Sequence, residues 1–204
     1  MRKLTPWVAS VGMGLLAVAA VVSAFPEPSI VSRAWELDVE VQKPQAVSLR
    51  DSRGRLQWYW YVAYKVQNNT RQERLFIPEI TIATDEGDLI DAGQNVPAGV
   101  FQIVKKRQGN TLLLSPMDIV GRMLIGRDFA KEGVAIWPAF DHSVDQVNVF
   151  FAGLSGETQI IGHPLTKEDV VMRKVLMAKF RTPGSRTHPQ DQAVIPLGQE
   201  WIMR

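Results

Sequence analysis

Apolar and acidic residues alternate without interruption from Trp35 to Val41. The odd positions of this segment are apolar, and the even positions carry carboxylates. Successive side chains of a β-strand point to opposite faces of a sheet. This period of two therefore predicts a strand with one buried face and one face in solvent.

A longer apolar stripe occupies the even positions of the segment from Leu56 to Gln67. The residues of the stripe are Trp58, Trp60, Val62, Tyr64 and Val66. Asp51 to Gly54 before the segment and Asn68 to Thr70 after it are typical of turns, because Asp and Asn side chains bond nearby backbone groups. The segment is predicted to be a central strand.

Further short strands are predicted where β-branched and aromatic residues cluster between turn signals. These segments are Leu75 to Thr84 with an interruption at Pro78, Val134 to Phe140, Val144 to Leu154, and Thr158 to Ile161.

The run from Val170 to Phe180 fits either a helix or a strand. Thr166 and Asp169 have the spacing of a helix capping box, whereas the β-branched content suits a strand that ends before Pro183. We favour the strand, because the run ends in a turn signal.

Helical spacing occurs in two further places. The apolar residues from Val100 to Val104 are separated by one, three and four positions between Asn95 and Gly109, which predicts one short helix. Asp128 to Glu132 fits a single helical turn that stops at Gly133.

About seven short strands with few helices between them predict a mainly β fold, an antiparallel immunoglobulin-like β-sandwich with one or two short helices. The predicted organisation is a signal peptide or uncleaved anchor over 1–24, a sandwich domain over 25–181, and a loop and C-terminal tail over 182–204. Trp201 and Ile202 are expected to dock this tail on the body of the domain.

The N-terminal segment has the order of a secretory signal. Arg2 and Lys3 precede an uncharged apolar run, and small residues end at Ala24, directly before Phe25. The run is shorter than the roughly 20 residues that span a bilayer as a helix, so we expect export with cleavage after Ala24. The alternative is an uncleaved anchor extended by apolar residues nearer Leu4.

The net charge and the absence of cysteine exclude several kinds of partner and of catalytic or metal site. The chain has 204 residues and a formal net charge of +2, and Arg2 and Lys3 are the charged residues of 1–24, so the chain after cleavage is neutral. A neutral chain lacks the excess of cations that attracts nucleic acid without sequence preference. The absence of cysteine from the sequence excludes a thiolate nucleophile, a cysteine zinc site and a lipoprotein anchor.

No catalytic residue, metal site or cofactor is predicted. Ser155 lies in FAGLSGE, where Glu157 stands in place of the second glycine of a nucleophile elbow, so the segment is predicted to be a strand, a turn and a strand. His142, His163 and His188 lack metal-ligand spacing. The acidic residues around Gly87 predict a charged hairpin turn rather than a calcium loop.

The candidate binding residues are Tyr59 and Tyr61. Adjacent residues of a strand point to opposite sides, so burial of Trp58 and Trp60 in the core leaves the two tyrosines on the other face. An exposed pair of tyrosines is a surface for stacking on a sugar or for binding a protein.

The segments WYWYVAYKVQNNT, GVAIWP, FAGLSGE and RTPG together resemble an uncharacterised group of exported bacterial proteins. The resemblance spans most of the chain after residue 24, and it implies no activity, cofactor or catalytic residue. The early order of a strand, an NNT turn and a second strand is similar to immunoglobulin-like modules of exported proteins.

These features predict an exported, non-catalytic binding or structural accessory module of the cell envelope, in the periplasm or membrane-anchored. The expected partner is a protein or an envelope component, with no nucleic acid, and with contact to the membrane only through an uncleaved N-terminal segment. The alternatives are a secreted hydrolase with dispersed acidic residues, which needs a concave site with converging carboxylates, and a membrane-tethered accessory subunit.

The protein isolated from its native host is expected to begin at Phe25, because the small residues before it form the cleavage site. Intact mass of the protein in each cell fraction measures this. A full-length, membrane-bound species would instead show that the apolar segment is kept as an anchor.

Overall fold

A computed structural model describes residues 26–140, 143–163, 168–182 and 193–204. The predicted export segment 1–24, most of the predicted loop after Thr182, His142 and His188 lie outside the described residues. The strands are β1 (Asp38–Val41), β2 (Gln45–Arg50), β3 (Leu56–Gln67), β4 (Arg74–Phe76), β5 (Glu79–Thr84), β6 (Leu89–Asp91), β7 (Gly121–Met123), β8 (Lys131–Pro138), β9 (Gln146–Ala152), β10 (Thr158–Gly162), β11 (Asp169–Arg181) and β12 (Ile195–Met203). One α-helix, α1 (Ala98–Gln108), and a 3₁₀ turn (Arg127–Phe129) complete the described elements.

The first sheet is built on the central strand β3. β8 pairs with one edge of β3, and β1 and β2 pair with different halves of its other edge. Val41 lies opposite Tyr64 and Gln45 lies opposite Tyr61, so β1 and β2 form one edge strand with a short break. All of these pairs are antiparallel.

The second sheet is built on β11 in the same way. β12 pairs with one edge of β11, while β9 and β10 share the other edge with a break at residues 153–157. β5 and then β6 continue the sheet beyond β9. The prediction of a mainly β, antiparallel fold is confirmed, and the run Val170 to Phe180 is a strand rather than a helix.

The largest hydrophobic cluster contains side chains from both sheets. Trp60 and Val62 of β3 belong to it with Phe151 of β9 and Phe180 of β11. The even positions of β3 therefore face the second sheet, as their apolar stripe predicts. The immunoglobulin-like connectivity stays a prediction.

The helix α1 covers the opposite face of the first sheet. Val100 and Val104 of α1 are fully buried in a second cluster with Tyr59 and Tyr61 of β3. The predicted helix is confirmed, and Gly109 ends it in the left-handed conformation, with φ 61°. As a result, β3 is buried on both faces.

One local prediction is wrong. The helical turn predicted over 128–132 is a shorter 3₁₀ turn, and Gly133 lies inside β8, where a Cβ atom would come within 2.8 Å of the Tyr64 ring. The predicted C-terminal tail is largely the strand β12, because the backbone of residues 195–203 completes the edge of β11. Trp201 packs against the core, as expected.

The backbone joins the two sheets at two places. Leu37 N–H donates to Leu154 O at 2.8 Å and Gly156 N–H donates to Trp35 O at 3.0 Å, so the predicted strand from Trp35 begins on the second sheet and enters the first only at β1. On the other side, Gly93 N–H donates to Ile136 O at 2.8 Å. These bonds fix how the sheets lie against each other.

Gly153→Ala is expected to destabilise the protein strongly. Gly153 has φ +84°, and an added Cβ would lie 2.3 Å from the Ile77 carbonyl oxygen, which is backbone and cannot rotate away. Gly54→Ala is the matched control, because Gly54 has φ +78° with nothing within 4 Å. Urea denaturation should give about 1 kcal/mol for Gly54→Ala and about 3 kcal/mol or more for Gly153→Ala. Equal losses would show that the contact with Ile77 is unimportant.

Candidate functional site

The strands β4 and β7 form a small antiparallel sheet beside the main body. Phe76 of β4 and Met123 of β7 are buried in the main core, so one side of this small sheet faces inward. Leu75 and Arg122 lie opposite each other in the register, and both are exposed. The other side of the small sheet therefore faces solvent.

The alternation of the two strands defines the residues on this outer side. They are Glu73, Leu75, Ile77, Val120, Arg122 and Leu124. The four apolar side chains are between 38% and 62% exposed, and Arg122 forms an ion pair of 3.7 Å with Glu73 across the strands. We call this surface the β4–β7 face.

The chain beyond the β4–β7 face is also apolar at its surface. Ile125 and Phe129, which follow β7, are about half exposed. Isolated exposed apolar residues are ordinary, but contiguous ones mark interaction surfaces on soluble proteins. The β4–β7 face is therefore the leading candidate for an interaction site among the described residues.

Tyr59 and Tyr61 do not form an exposed surface. Tyr59 is 7% exposed and Tyr61 is 0% exposed, because α1 packs over them. The Tyr61 hydroxyl donates to Gln45 Oε1 at 2.9 Å and accepts from Gln108 Nε2 at 3.1 Å. The expectation of exposure is wrong because the sequence pattern did not show which strand face the helix would cover.

The edge of the aromatic strand lines an open groove of about 630 Å³. Trp58 and Phe140 lie in this groove, with Arg55 and Asp51 from the β2–β3 turn. Asp51 already accepts hydrogen bonds from the N–H groups of Arg53 and Arg55, and its pKa is lowered mainly by the bond from the Arg55 backbone. The hydrogen bonds of Asp51 therefore stabilise the β2–β3 turn.

A buried charged cluster lies where the two sheets are joined. The Lys174 ammonium is 2.9 Å from Glu36 Oε2 and 3.3 Å from Glu157 Oε2, and it lies 5.1 Å from the centre of the Trp201 ring. Ser29 N–H donates to Glu157 Oε1 at 2.9 Å. Glu157 Oε2 is buried without a hydrogen bond among the described residues, so its partner is the charge of Lys174. We call this group the Lys174 cluster.

The contacts in the Lys174 cluster favour the charged forms of Glu157 and Lys174. The hydrogen bond from Ser29 N–H outweighs burial and, with Lys174, lowers the pKa of Glu157 below 4.5. Burial alone would lower the pKa of Lys174, but the Glu36 and Glu157 carboxylates outweigh it and raise that pKa above 10.5. A lowered carboxyl pKa is the opposite of what a general acid requires. The cluster is therefore a structural ion pair.

The side-chain contacts of the FAGLSGE segment, which ends at Glu157 of the Lys174 cluster, are structural. Ser155 Oγ donates to Trp35 O at 3.3 Å and accepts from Glu157 N–H at 3.1 Å, so its hydroxyl shapes the break between β9 and β10. Gly156 lies under the Trp35 indole, where a Cβ would be 2.3 Å from Nε1. The prediction of a strand, a turn and a strand is confirmed.

The acidic turn around Gly87 connects β5 to β6 and forms hydrogen bonds to the start of β9. Asp85 Oδ2 accepts from the N–H groups of Asp145 and Gln146, each at 3.2 Å, at the start of β9. The predicted hairpin turn is confirmed, since β5 and β6 pair on either side of it. Within the ranges that the structure describes, no three His, Asp or Glu side chains are grouped closely enough to hold a metal ion.

Lys174→Met is expected to lower the free energy of unfolding by about 3 kcal/mol, because it leaves two carboxylates with little solvent and no counter-ion. Lys179→Met is the matched control: its ammonium pairs with Glu200 at 2.7 Å on the exposed side of the sheet. That exposed pair should contribute less than about 1 kcal/mol. Urea denaturation of both variants measures the two losses. An equal decrease in the free energy of unfolding of the two variants would contradict a special role for the Lys174 cluster.

Acid should weaken the Lys174 cluster. A carboxylate whose folded pKa lies below its unfolded value stabilises the fold above the unfolded pKa and loses that contribution as the pH falls through the folded pKa. The wild type should therefore lose more stability below pH 4.5 than Glu157→Gln, which has no proton to gain there. Glu27→Gln, an exposed change, should follow the wild type in thermal unfolding measured against pH.

Comparison with known proteins leaves the surfaces above as the basis for a functional inference. No known protein family, curated protein or solved structure matches the chain. Among the described residues, no helix has the length and apolar character to cross a membrane.

Proposed function

We propose that the protein is an exported, non-catalytic accessory module of the cell envelope that binds a partner protein through the β4–β7 face. The observation that carries this proposal is the solvent exposure of Leu75, Ile77, Val120 and Leu124 on one side of a two-stranded sheet. The export signal predicted in residues 1–24 supports the location.

The small sheet presents a firm surface. Its inner side is anchored in the core by Phe76 and Met123, which are 1% and 0% exposed. Asn68 adds to the anchoring, because its buried Nδ2 donates to Met123 O and to Gln72 O, each at 2.9 Å. Binding of a partner to the outer side therefore costs little conformational entropy, because the surface is already ordered.

The charges on the β4–β7 face favour a protein partner over a lipid surface. Arg122 is paired with Glu73 in the middle of the apolar residues, and Arg127 is followed by Asp128 just beyond β7. Anionic lipid attracts clusters of cations, and it repels carboxylates. A surface that combines exposed apolar side chains with an arginine and with charges of both signs is typical of a protein interface.

A photo-cross-linking experiment in the native host tests this proposal. The full chain carries the photoreactive residue benzoylphenylalanine in place of Leu75 in one variant and in place of Ile160 in the other. Ile160 is the matched control, because it is 65% exposed and lies on β10, which pairs with β11 in the second sheet. We expect a discrete protein adduct from position 75 and none from position 160.

A second substitution shows whether that adduct depends on the β4–β7 face. Leu124→Asp places a carboxylate beside the probe and should lower the yield of adduct by about tenfold, as expected for loss of a central apolar contact. Leu197→Asp changes an apolar residue of similar exposure on β12, 44% against 38% for Leu124, and should leave the yield unchanged. A lipid adduct, equal adducts from both probe positions, or no effect of Leu124→Asp would overturn the proposal.

A further inference from the structure

The segments that contain β2 and α1 carry cations and no carboxylates. They are residues 41–50 and residues 92–117, and their charged residues are Lys43, Arg50, Lys105, Lys106 and Arg107. Residues 25–204 as a whole are neutral, so the remaining residues of that range carry a net charge of −5. The neutral total therefore conceals a separation of charge. We call the two segments the α1–β2 layer.

The two segments of the α1–β2 layer pack against each other. Val47 of β2 and Val104 of α1 belong to the same hydrophobic cluster, and Arg107 Nη1 donates to Ala46 O at 3.0 Å. Lys106 follows Val104 by two positions, so it projects from the opposite side of the helix, away from the sheet. The helix therefore lies along the outside of the first sheet with a charged side in solvent.

The charges of the α1–β2 layer are not neutralised by nearby carboxylates. Four of the five cations are exposed, and Lys105 is half-buried. The Lys105 ammonium donates to Leu113 O at 3.0 Å, and Arg50 Nη1 donates to Gly54 O at 3.0 Å, so these acceptors are uncharged. None of the five cations forms an ion pair within the part of the chain that the structure describes.

Charged side chains of other elements border the α1–β2 layer. They are Glu40, Lys65 and Glu132 beside the C-terminal end of α1, and Asp51, Arg53 and Arg55 in the β2–β3 turn. Lys65 lies between the two glutamates in the register, and Asp51 forms an ion pair of 2.9 Å with Arg55. These borders contain three carboxylates and three cations, so the layer keeps its positive charge.

An exposed leucine lies beside the C-terminal end of α1. Leu112 is 76% exposed, whereas the next residue, Leu113, is buried in the cluster that α1 covers. The N–H of Leu112 donates to Asn110 Oδ1 at 2.9 Å, which holds the turn after the helix. A cationic helix with an apolar side chain beside it has the composition that binds an anionic membrane surface.

We infer that the α1–β2 layer docks the protein on an anionic membrane surface. The cations attract the phosphate groups of the lipids, and Leu112 enters the region between the head groups and the acyl chains. The cations are spaced along the layer with uncharged residues between them, and lipid head groups can rearrange to meet such a spacing.

This contact extends the expectation from the sequence, in which only an uncleaved N-terminal segment reaches the membrane. It does not depend on retention of residues 1–24. It also does not involve the β4–β7 face, so it is tested independently of the proposed partner protein.

Cosedimentation with lipid vesicles tests the inference. Protein isolated from the native host is mixed with vesicles of phosphatidylcholine, or of phosphatidylcholine with about one-third phosphatidylglycerol. The two affinities are compared as a ratio, because an uncleaved N-terminal segment would contribute equally to both. We expect about tenfold tighter binding to the anionic vesicles at low salt. About 1 M salt should remove most of this difference, because it screens charges over roughly 3 Å.

Two variants locate the contact. Lys43→Gln combined with Lys106→Gln removes two charges and should weaken binding to anionic vesicles by about tenfold. Leu112→Ser keeps the charges and should weaken binding by about fivefold, because it removes the apolar side chain. The matched controls are Arg181→Gln and Ile160→Ser, exposed residues of the second sheet, and both should bind as the wild type does.

Several results would overturn the inference. Equal binding to neutral and anionic vesicles is one, and wild-type binding by either variant of the layer is another. An equal loss in the control of the same kind would show a general effect of charge or of apolar surface. Absence of binding to either kind of vesicle would favour an acidic protein as the occupant instead. Thermal unfolding should be unchanged in all variants, because the replaced side chains are exposed.

Discussion

The burial of β3 on both faces is the constraint on which the rest of the structure depends. The second sheet covers its even side chains, among them Trp60, and α1 covers its odd side chains, among them Tyr61. A strand with aromatic residues on both sides cannot sit at a surface, since each exposed ring would leave a large apolar area in water. Because α1 lies on the outer face of the first sheet, the chain has to leave that face before it enters β8. Residues 109–130 form this connection.

This connection contributes to the β4–β7 face. It contributes β7, which pairs with β4 and leaves its outer residues in solvent. The main body, in contrast, is closed by backbone bonds at Trp35 and at Gly93, and by the Lys174 cluster beneath the first of them. The connection thus carries part of the exposed apolar surface, whereas the bonds that hold the two sheets together lie in the main body.

The local sequence predicted most of the elements. A period of two predicted β1 and β3, and the spacing before Gly109 predicted α1, because strands and helices place neighbouring side chains in characteristic directions. Apolar β-branched and aromatic runs beside turn signals predicted β9 and favoured a strand at β11. The β4–β7 face left only a weak signal. LFI at 75–77 and MLI at 123–125 are short apolar runs without clear alternation, and such runs do not reveal which of their residues are exposed.

The mainly β character, the turns and the lack of thiol chemistry follow from the amino-acid sequence alone, since each depends on residue type and near neighbours. Three features depend instead on long-range packing: the face of β3 that the helix covers, the pairing of Trp35 with Gly156, and the position of the Tyr64 hydroxyl over Gly133. These contacts join residues far apart along the chain. No local period encodes them, because the partner of a strand face is chosen by packing in three dimensions.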